Sequence, residues 1–258
     1  MTVSAAARRS RTVMPQNTYL STKDIPVAQR LIFPLDVPSN EEALRLVNTL
    51  GDSVYFYKVG LELLMGGRWI DLVNALVAKH KAVMLDAKIF DVPETVRAAV
   101  KQAVRQHVKF ITVHASDEAL KAAVAEKKND VKILAVTVLT SVNAIDREEF
   151  GFEVPVEKLV LSRAKRALEI GCDGVISSGL EAPQLRKTLG DRFLIVTPGI
   201  RPVENKVVDD DQKRTTDVEE AFRNGADYIV IGRPIRQAVD PKRAAMSVQK
   251  RIAAVFSG

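Results

Sequence analysis

From residue 30 onward the chain alternates between short apolar runs and longer stretches of mixed character, and this alternation predicts its elements. Leu31-Ile-Phe-Pro-Leu35 is a continuous apolar run ending at Asp36, and Ser39 with Glu42 has capping-box spacing for a helix through about residue 50. Val54-Tyr-Phe-Tyr57 ends at Lys58-Val-Gly60 and precedes a helix to about residue 79. Ala82-Val-Met-Leu85 runs into Asp86-Ala-Lys-Ile-Phe-Asp-Val-Pro-Glu-Thr95, with a helix over 92–106. Lys109-Phe-Ile-Thr-Val113 ends at His114-Ala-Ser116 before a helix over 118–125. Val131-Lys-Ile-Leu-Ala-Val-Thr137 ends near Leu139-Thr-Ser141, and a long polar stretch leads to a helix over 156–170. Gly174-Val-Ile176 precedes Ser177-Ser178 and a helix from about residue 181. Phe193-Leu-Ile-Val196 ends at Thr197-Pro-Gly-Ile-Arg201, and Tyr228-Ile-Val-Ile231 ends at Gly232-Arg233 before a last helix from 234 to about 255.

These are eight strand–helix units in about 225 residues, a length that suits one α/β barrel. The strands are apolar runs rather than strict alternations, as expected where both faces of a parallel sheet are covered. A doubly wound sheet would also alternate strand and helix, but eight regular units without an added half-domain predict a single (β/α)8 TIM barrel. The expected layout is a basic, flexible N-terminal extension over residues 1–24 and a catalytic barrel over 25–258.

Polar residues fall where a barrel needs them. Asp36, Lys58, Asp86, Lys88, His114, Thr140 and Arg233 all stand at or just beyond a strand's C-terminal end, and in a barrel those ends converge on one mouth. Side chains alternate along a strand, so Asp86 and Lys88 share a face, a carboxylate and an ammonium held side by side. Asp91 has two readings: a further charge for the site, or a helix cap, since Asp91-x-x-Glu94 before a helical run is capping-box spacing. Gly232 and Arg233 open the last helix, where N–H groups, a positive helix end and a guanidinium suit a phosphate; the plainer alternative is a tight turn with an exposed arginine. The long loop from Arg201 carries Asp209-Asp-Asp-Gln-Lys-Arg214, a solvated charge run in one reading and a lid bringing Gln212 and Arg201 to a phosphate in the other. His114 is either a general base or a hydrogen-bonded structural histidine.

Composition narrows the function classes. The net charge is +6, but residues 1–30 carry +4 of it and the remaining 228 only +2; with 5% aromatic residues and no base-stacking motif, a nucleic-acid partner is not expected. The small, basic start of the chain overlaps the composition of an organellar transit peptide and lacks the apolar core of a secretion signal. No apolar run approaches the roughly 20 residues of a membrane span. One cysteine, Cys172, rules out an internal disulfide and fits a cytoplasmic, reducing setting as a small buried residue. Three histidines without His-x-x-x-His spacing argue against a histidine metal centre, while a magnesium site on Asp36 and Asp86 stays conceivable.

Asp86-x-Lys88-x-x-Asp91 with Pro93 and Thr95 resembles the signature of the orotidine 5′-monophosphate (OMP) decarboxylase family. The resemblance spans about residues 30–255 and includes Leu35-Asp36, Tyr57-Lys58-Val-Gly60, Val113-His-Ala-Ser116, Val136-Thr-Val-Leu-Thr-Ser141, Val196-Thr-Pro-Gly-Ile-Arg201, Asp211-Gln-Lys-Arg214 and Ile231-Gly-Arg-Pro234. The Asp-x-Lys-x-x-Asp motif alone is shared with other phosphosugar barrels; the ordered set is more specific. The resemblance implies a homodimeric barrel that converts OMP to UMP and carbon dioxide in pyrimidine biosynthesis, with neither metal nor organic cofactor. It implies a charge array of Lys58, Asp86 and Lys88 completed by Asp91 of the other subunit, with Lys88 as proton donor. Asp36 would contact the ribose and Thr95 would contribute across the dimer. Thr140 and Ser141 would face the pyrimidine, and Arg201, Gln212, Gly232 and Arg233 would hold the phosphate. The rival is a metal-dependent sugar-phosphate decarboxylase or aldolase on the same barrel, which would need an acid near the second strand end, where this chain has Lys58. A non-catalytic phosphate- or nucleic-acid-binding barrel using the basic tail is a third possibility. The N-terminal extension and a slightly expanded stretch between Arg201 and Gln212 depart from the family pattern.

Overall fold

Each apolar run becomes a strand with both faces covered. In a computed structural model describing residues 19–128, 130–139, 154–201 and 215–257, the strands are β1 (Leu31–Pro34), β2 (Phe56–Gly60), β3 (Ala82–Ile89), β4 (Phe110–His114), β5 (Lys132–Val136), β6 (Gly174–Ile176), β7 (Leu194–Thr197) and β8 (Tyr228–Val230). Every neighbouring pair is parallel, and β8 returns to β1 through Leu31↔Ile229 and Ile32↔Val230, closing an eight-stranded barrel. The expected (β/α)8 architecture is therefore the one observed.

Alternation along the strands divides the apolar residues between two cores. Ile32, Phe56, Met84, Phe110, Leu134, Val196, Tyr228 and Val230 fill the barrel interior. Three rings interlock there, Phe56 with Phe110 at 4.9 Å and Phe110 with Tyr228 at 5.1 Å between centroids. Their alternates, among them Phe33, Tyr57, Leu85, Ile111, Ala135 and Ile229, point outward into the layer beneath the helices. Removing apolar surface from water on both faces is what holds the parallel sheet. β6 is forced close to β7: a Cβ at Gly174 would lie 2.3 Å from the Leu194 carbonyl oxygen, so glycine is required.

The helices are α1 (Asn40–Leu50), α2 (Leu61–Met65), α3 (Trp69–Ala78), α4 (Pro93–Val104), α5 (Asp117–Ala125), α6 (Val156–Ile170), α7 (Ala182–Leu189), α8 (Val218–Arg223), α9 (Arg233–Arg236) and α10 (Pro241–Phe256). Ser39 caps α1 by accepting the Glu42 N–H at 3.2 Å, as its spacing predicts. Two expected single helices are each split. Gly66, Gly67 (φ 75°) and Arg68 (φ 57°) separate α2 from α3. The last helix breaks between Arg236 and Pro241 because a proline within a helix lacks the N–H for the next turn; Pro241 instead starts α10, capped by Asp240, which accepts the Arg243 N–H at 2.9 Å.

The N-terminal end of the barrel is sealed around Asp227, which is fully buried. Its carboxylate accepts from Arg186 at 2.7 Å, the Ile195 N–H at 2.9 Å, Ser21 at 2.5 Å and Lys23 at 3.0 Å. The described part of the expected extension, residues 19–24, is thus tied to the barrel through Ser21 and Lys23, and through the Tyr19 N–H donated to the Arg223 carbonyl at 2.8 Å. At the opposite end, a bridge between Ile200 and Thr216 draws together the stem of the loop that follows β7. Thr140, Ser141, Gln212 and the Asp209-Asp-Asp211 run lie outside the described residues.

Candidate active site

Two residues beyond the interior ring of Phe56, Met84 and Phe110, the same faces of β2, β3 and β4 present Lys58, Asp86 and Thr112. The pleat therefore stacks a polar layer directly on an apolar floor. Asp86 is only 6% exposed, yet each of its oxygens is bonded. Oδ2 accepts from Lys88 Nζ at 2.8 Å and lies 3.2 Å from Lys58 Nζ, while Oδ1 accepts from the Thr112 hydroxyl at 2.9 Å. Lys58 Nζ also reaches Asp36 Oδ1 at 3.1 Å, giving an unbroken row Asp36–Lys58–Asp86–Lys88 of alternating charge.

β3 is distorted where it carries these groups. Its pairing with β4 runs Met84↔Phe110 and Leu85↔Ile111, then resumes at Ile89↔Val113, so four steps along β3 are matched by two along β4. Within this bulge Lys88 takes φ 45°, a left-handed conformation rare for a side-chain-bearing residue, and its N–H donates to Thr112 Oγ1 at 2.9 Å. Plain alternation anticipates the shared face of Asp86 and Lys88; the bulge that sets the lysine's backbone is not readable from it.

Burial alone would push Lys58 toward the neutral amine, but Asp86 and Asp36 outweigh it and hold the ammonium above its usual range. Burial likewise opposes the Asp86 charge, and Lys58, Lys88 and the bonds from Lys88 and Thr112 overcome it, keeping the carboxyl below the usual carboxylate range. Lys58 and Asp86 are thus held in their charged forms at neutral pH.

Asp36, Lys58, Asp86 and Lys88 line a cavity of about 310 Å³ at the C-terminal mouth of the barrel. Val136, Val138, Ile176 and Val230 give it an apolar wall, and Arg201, Gly232, Arg233 and Arg236 line it together with Pro198 and Gly199. Gly232 is needed because a Cβ there would stand 2.7 Å from Pro34 Cγ. The helix that follows, α9, has four residues, so its dipole adds little, and the arginines and local N–H groups carry the positive character instead. Arg236, which the sequence reading passed over, donates to the Asp36 carbonyl and braces the β1 end of the site.

Asp91 lies elsewhere. It is exposed, it does not line the cavity, and its carboxylate accepts the Val92 N–H at 2.6 Å. The capping-box expectation shifts by one residue: Pro93 occupies the first helical position, so Val92 is the N-cap and α4 has no side-chain cap bond. Thr95, on the first turn of α4, is also exposed. His114 meets Phe90 edge-on at 5.7 Å, and burial, with Lys88 and Arg163 nearby, lowers its pKa so that it is neutral at pH 7. Its visible contact is aromatic rather than the expected hydrogen bond. Cys172 is buried and its thiol is pushed up to about 12, consistent with a packing role.

Thr112 and Arg236 are the site residues that sequence reasoning missed. Thr112 was discoverable as the polar residue two positions beyond Phe110; within Phe-Ile-Thr-Val it passes for an ordinary strand former.

Comparison with known proteins gives a consistent picture. The model of the family described as Orotidine 5′-phosphate decarboxylase / HUMPS family matches residues 29–248. A protein of Methylococcus capsulatus named orotidine 5′-phosphate decarboxylase is 56% identical over 239 residues, 93% of this chain and 98% of that one. One of the same name from Nitrobacter winogradskyi is 50% identical over 227 residues, 87% and 93% of the two chains. Among solved structures, orotidine 5′-phosphate decarboxylase from Lactobacillus acidophilus superposes with a TM-score of 0.76 at 36% identity, covering 87% of this chain and 99% of that one.

Proposed function

The chain belongs to the orotidine 5′-phosphate decarboxylase / HUMPS family, and from that membership together with the geometry of the mouth we infer that it decarboxylates OMP to UMP and carbon dioxide, a step of pyrimidine biosynthesis. The observation that carries the reading is the single Asp86 oxygen held between two lysine ammoniums above an apolar floor.

In this reading the phosphate sits against Arg201, Arg233 and the backbone at Gly232, the ribose meets Asp36 and Lys58, and the pyrimidine lies toward Lys88. Thr140 and Ser141 are assigned to the pyrimidine, and Gln212 to the phosphate, from the family resemblance. The substrate carboxylate is placed beside Asp86, where like charge and a water-poor setting disfavour it. The bond from C6 to the carboxylate carbon breaks, its electron pair stays on C6, and carbon dioxide leaves. That pair has little resonance relief, so a fixed ammonium beside it is the main stabiliser available. Lys88 then transfers a proton from Nζ to C6 and regains one from solvent. Contacts to the distant phosphate supply binding energy that can be used at C6.

No metal or organic cofactor is assigned a role. The metal-dependent rival is disfavoured by the chemistry at the second strand end: Lys58 puts an ammonium between Asp36 and Asp86, where such an enzyme would want an acid and a cation. Among the described residues, no three His, Cys, Asp or Glu side chains come together.

We place Asp91 and Thr95 in the site of a second copy of this chain, making the enzyme a homodimer. Support comes from the exposure of Asp91 away from its own cavity and from its apolar neighbours Phe90 (70% exposed) and Val92 (63%). A cytoplasmic location belongs to the same reading and is supported by the one buried, unpaired cysteine. No helix among the described residues is long and apolar enough to cross a membrane.

Following OMP absorbance with purified protein tests the assignment. Substrate loss that persists in EDTA is expected, as is loss of turnover by at least about a thousandfold in a folded Lys88→Ala protein. Chelator-sensitive activity on a sugar phosphate, with none on OMP, would overturn it.

A further inference from the structure

We propose that Thr112 is a positioning residue for this decarboxylation, its hydroxyl fixing both the backbone of Lys88 and the orientation of the Asp86 carboxylate. The proposal rests on the roles given above to Lys88 and Asp86.

Thr112 is fully buried on β4, inside the barrel, in the same layer as Lys58 and Asp86. A hydroxyl has one proton to give and two lone pairs to receive. One lone pair takes the Lys88 N–H at 2.9 Å, and the proton is then committed to Asp86 Oδ1 at 2.9 Å, because an ionised carboxylate can only accept. One oxygen atom therefore ties together the two groups on which the chemistry depends.

The tie stands where the sheet provides none. The Ala82 N–H faces β2 and the Val83 carbonyl faces β4, so regular alternation would turn the Lys88 N–H toward β2, past the last β2 pair at Gly60↔Asp86; the register shift between Leu85 and Ile89 goes with its N–H meeting β4 instead. The lysine also sits at φ 45°, a conformation that surrounding contacts must impose. Thr112 supplies the missing acceptor from a rigid strand. At Asp86, committing Oδ1 to Thr112 leaves Oδ2 as the oxygen shared by Lys58 and Lys88, which aims the Lys88 ammonium. Without the hydroxyl, the carboxylate can rotate and the bulge can relax, and displacements of about 1 Å at a reacting group cost on the order of a hundredfold in rate.

The test compares two pairs that differ by the hydroxyl alone: wild type with Thr112→Val, and Thr112→Ser with Thr112→Ala. Wild type and Lys88→Ala run alongside; a wild type inert toward OMP, or an active Lys88→Ala, would defeat the catalytic reading itself rather than the role of Thr112. With those controls in order, Thr112→Val is expected to lose roughly 10- to 100-fold in kcat while KM, anchored at the phosphate wall, moves less than about threefold. Thr112→Ser should keep most of the wild-type kcat, and Thr112→Ala should fall below Thr112→Ser by a similar factor. The Ser–Ala comparison stands alone should the valine protein melt below the assay temperature. The acid limb of kcat/KM should also move to higher pH in the hydroxyl-free proteins. Asp86, faced by Lys58 of β2, Lys88 of its own strand and Thr112 of β4, with Asp36 reached through Lys58, loses a donor to its ionised form. Hydroxyl-free variants that match their hydroxyl-bearing partners in kcat, or that change KM alone, would overturn the proposal.

Discussion

Asp86 is where stability and chemistry meet at the scale of one residue. It is buried, which alone would favour the neutral acid, and it remains charged because Lys58, Lys88 and Thr112 surround it. A carboxyl whose folded pKa is depressed contributes stability that is fully present above its unfolded value, near 3.9, and is lost as pH falls through the lower folded value. Asp86→Asn should therefore melt below wild type near neutral pH, and the gap should narrow as pH drops below about 4, where wild type gives up this contribution. Thermal melts of both proteins from pH 7 to pH 3 measure it; a gap that stays constant into acid would show that the charge does not stabilise the fold. The spacing Asp86-x-Lys88 made the pair legible because alternation is a local rule. The place of the third partner, Thr112, follows the same rule, but its bonds were not legible, because register between β3 and β4 is a tertiary property and a register shift decides which of them form.

At the scale of elements, a repeated device fixes the closed end of the barrel. Gly171-Cys-Asp173 and Gly225-Ala-Asp227 each follow a helix with a glycine at φ 106° or 108°, then place an aspartate just before β6 or β8. Asp173 accepts the Ile133 N–H of β5 at 2.9 Å and Asp227 accepts the Ile195 N–H of β7 at 2.9 Å, so each clamps the preceding strand. Their cations differ in burial. Asp173 meets Lys127 and Lys132, which keep water contact, whereas Asp227 meets Arg186, nearly as buried as itself. Removing the charge of one partner from a buried pair costs about 3–5 kcal/mol, against about 1 kcal/mol or less for a partly exposed pair. Asp227→Asn is accordingly expected to destabilise the fold several-fold more than Asp173→Asn in urea unfolding, and equal losses would contradict the difference in burial. Sequence periodicity located every strand here, since apolar runs report burial directly. It joined α2 with α3, and α9 with α10, because Gly66-Gly67 and Pro241 were outweighed by apolar residues continuing on either side.

For the whole molecule, the barrel was legible because eight repeats of one unit have few ways to close, whereas a second copy leaves no periodic trace in one chain. What the chain does show is an apolar rim. Phe90 and Val92 flank Asp91 in the β3–α4 connection, and Leu61 and Met65, both exposed, lie on α2 after the neighbouring strand. In the proposed homodimer these side chains would lie in a twofold interface, in which each subunit gives the other what it receives. If Asp91 serves the neighbouring site while Lys88 serves its own, each single substitution, Asp91→Ala or Lys88→Ala, disables every site of its homodimer. After subunit exchange between equal amounts of the two, a heterodimer has one site with both defects and one with neither. Random pairing then makes roughly a quarter of all sites intact. Turnover of OMP by the mixture should rise toward that fraction of the wild-type rate, on the time course of exchange followed by a labelled subunit. Complete exchange with no gain in rate would place Asp91 outside the neighbour's chemistry, and its bond to the Val92 N–H would then be its main role.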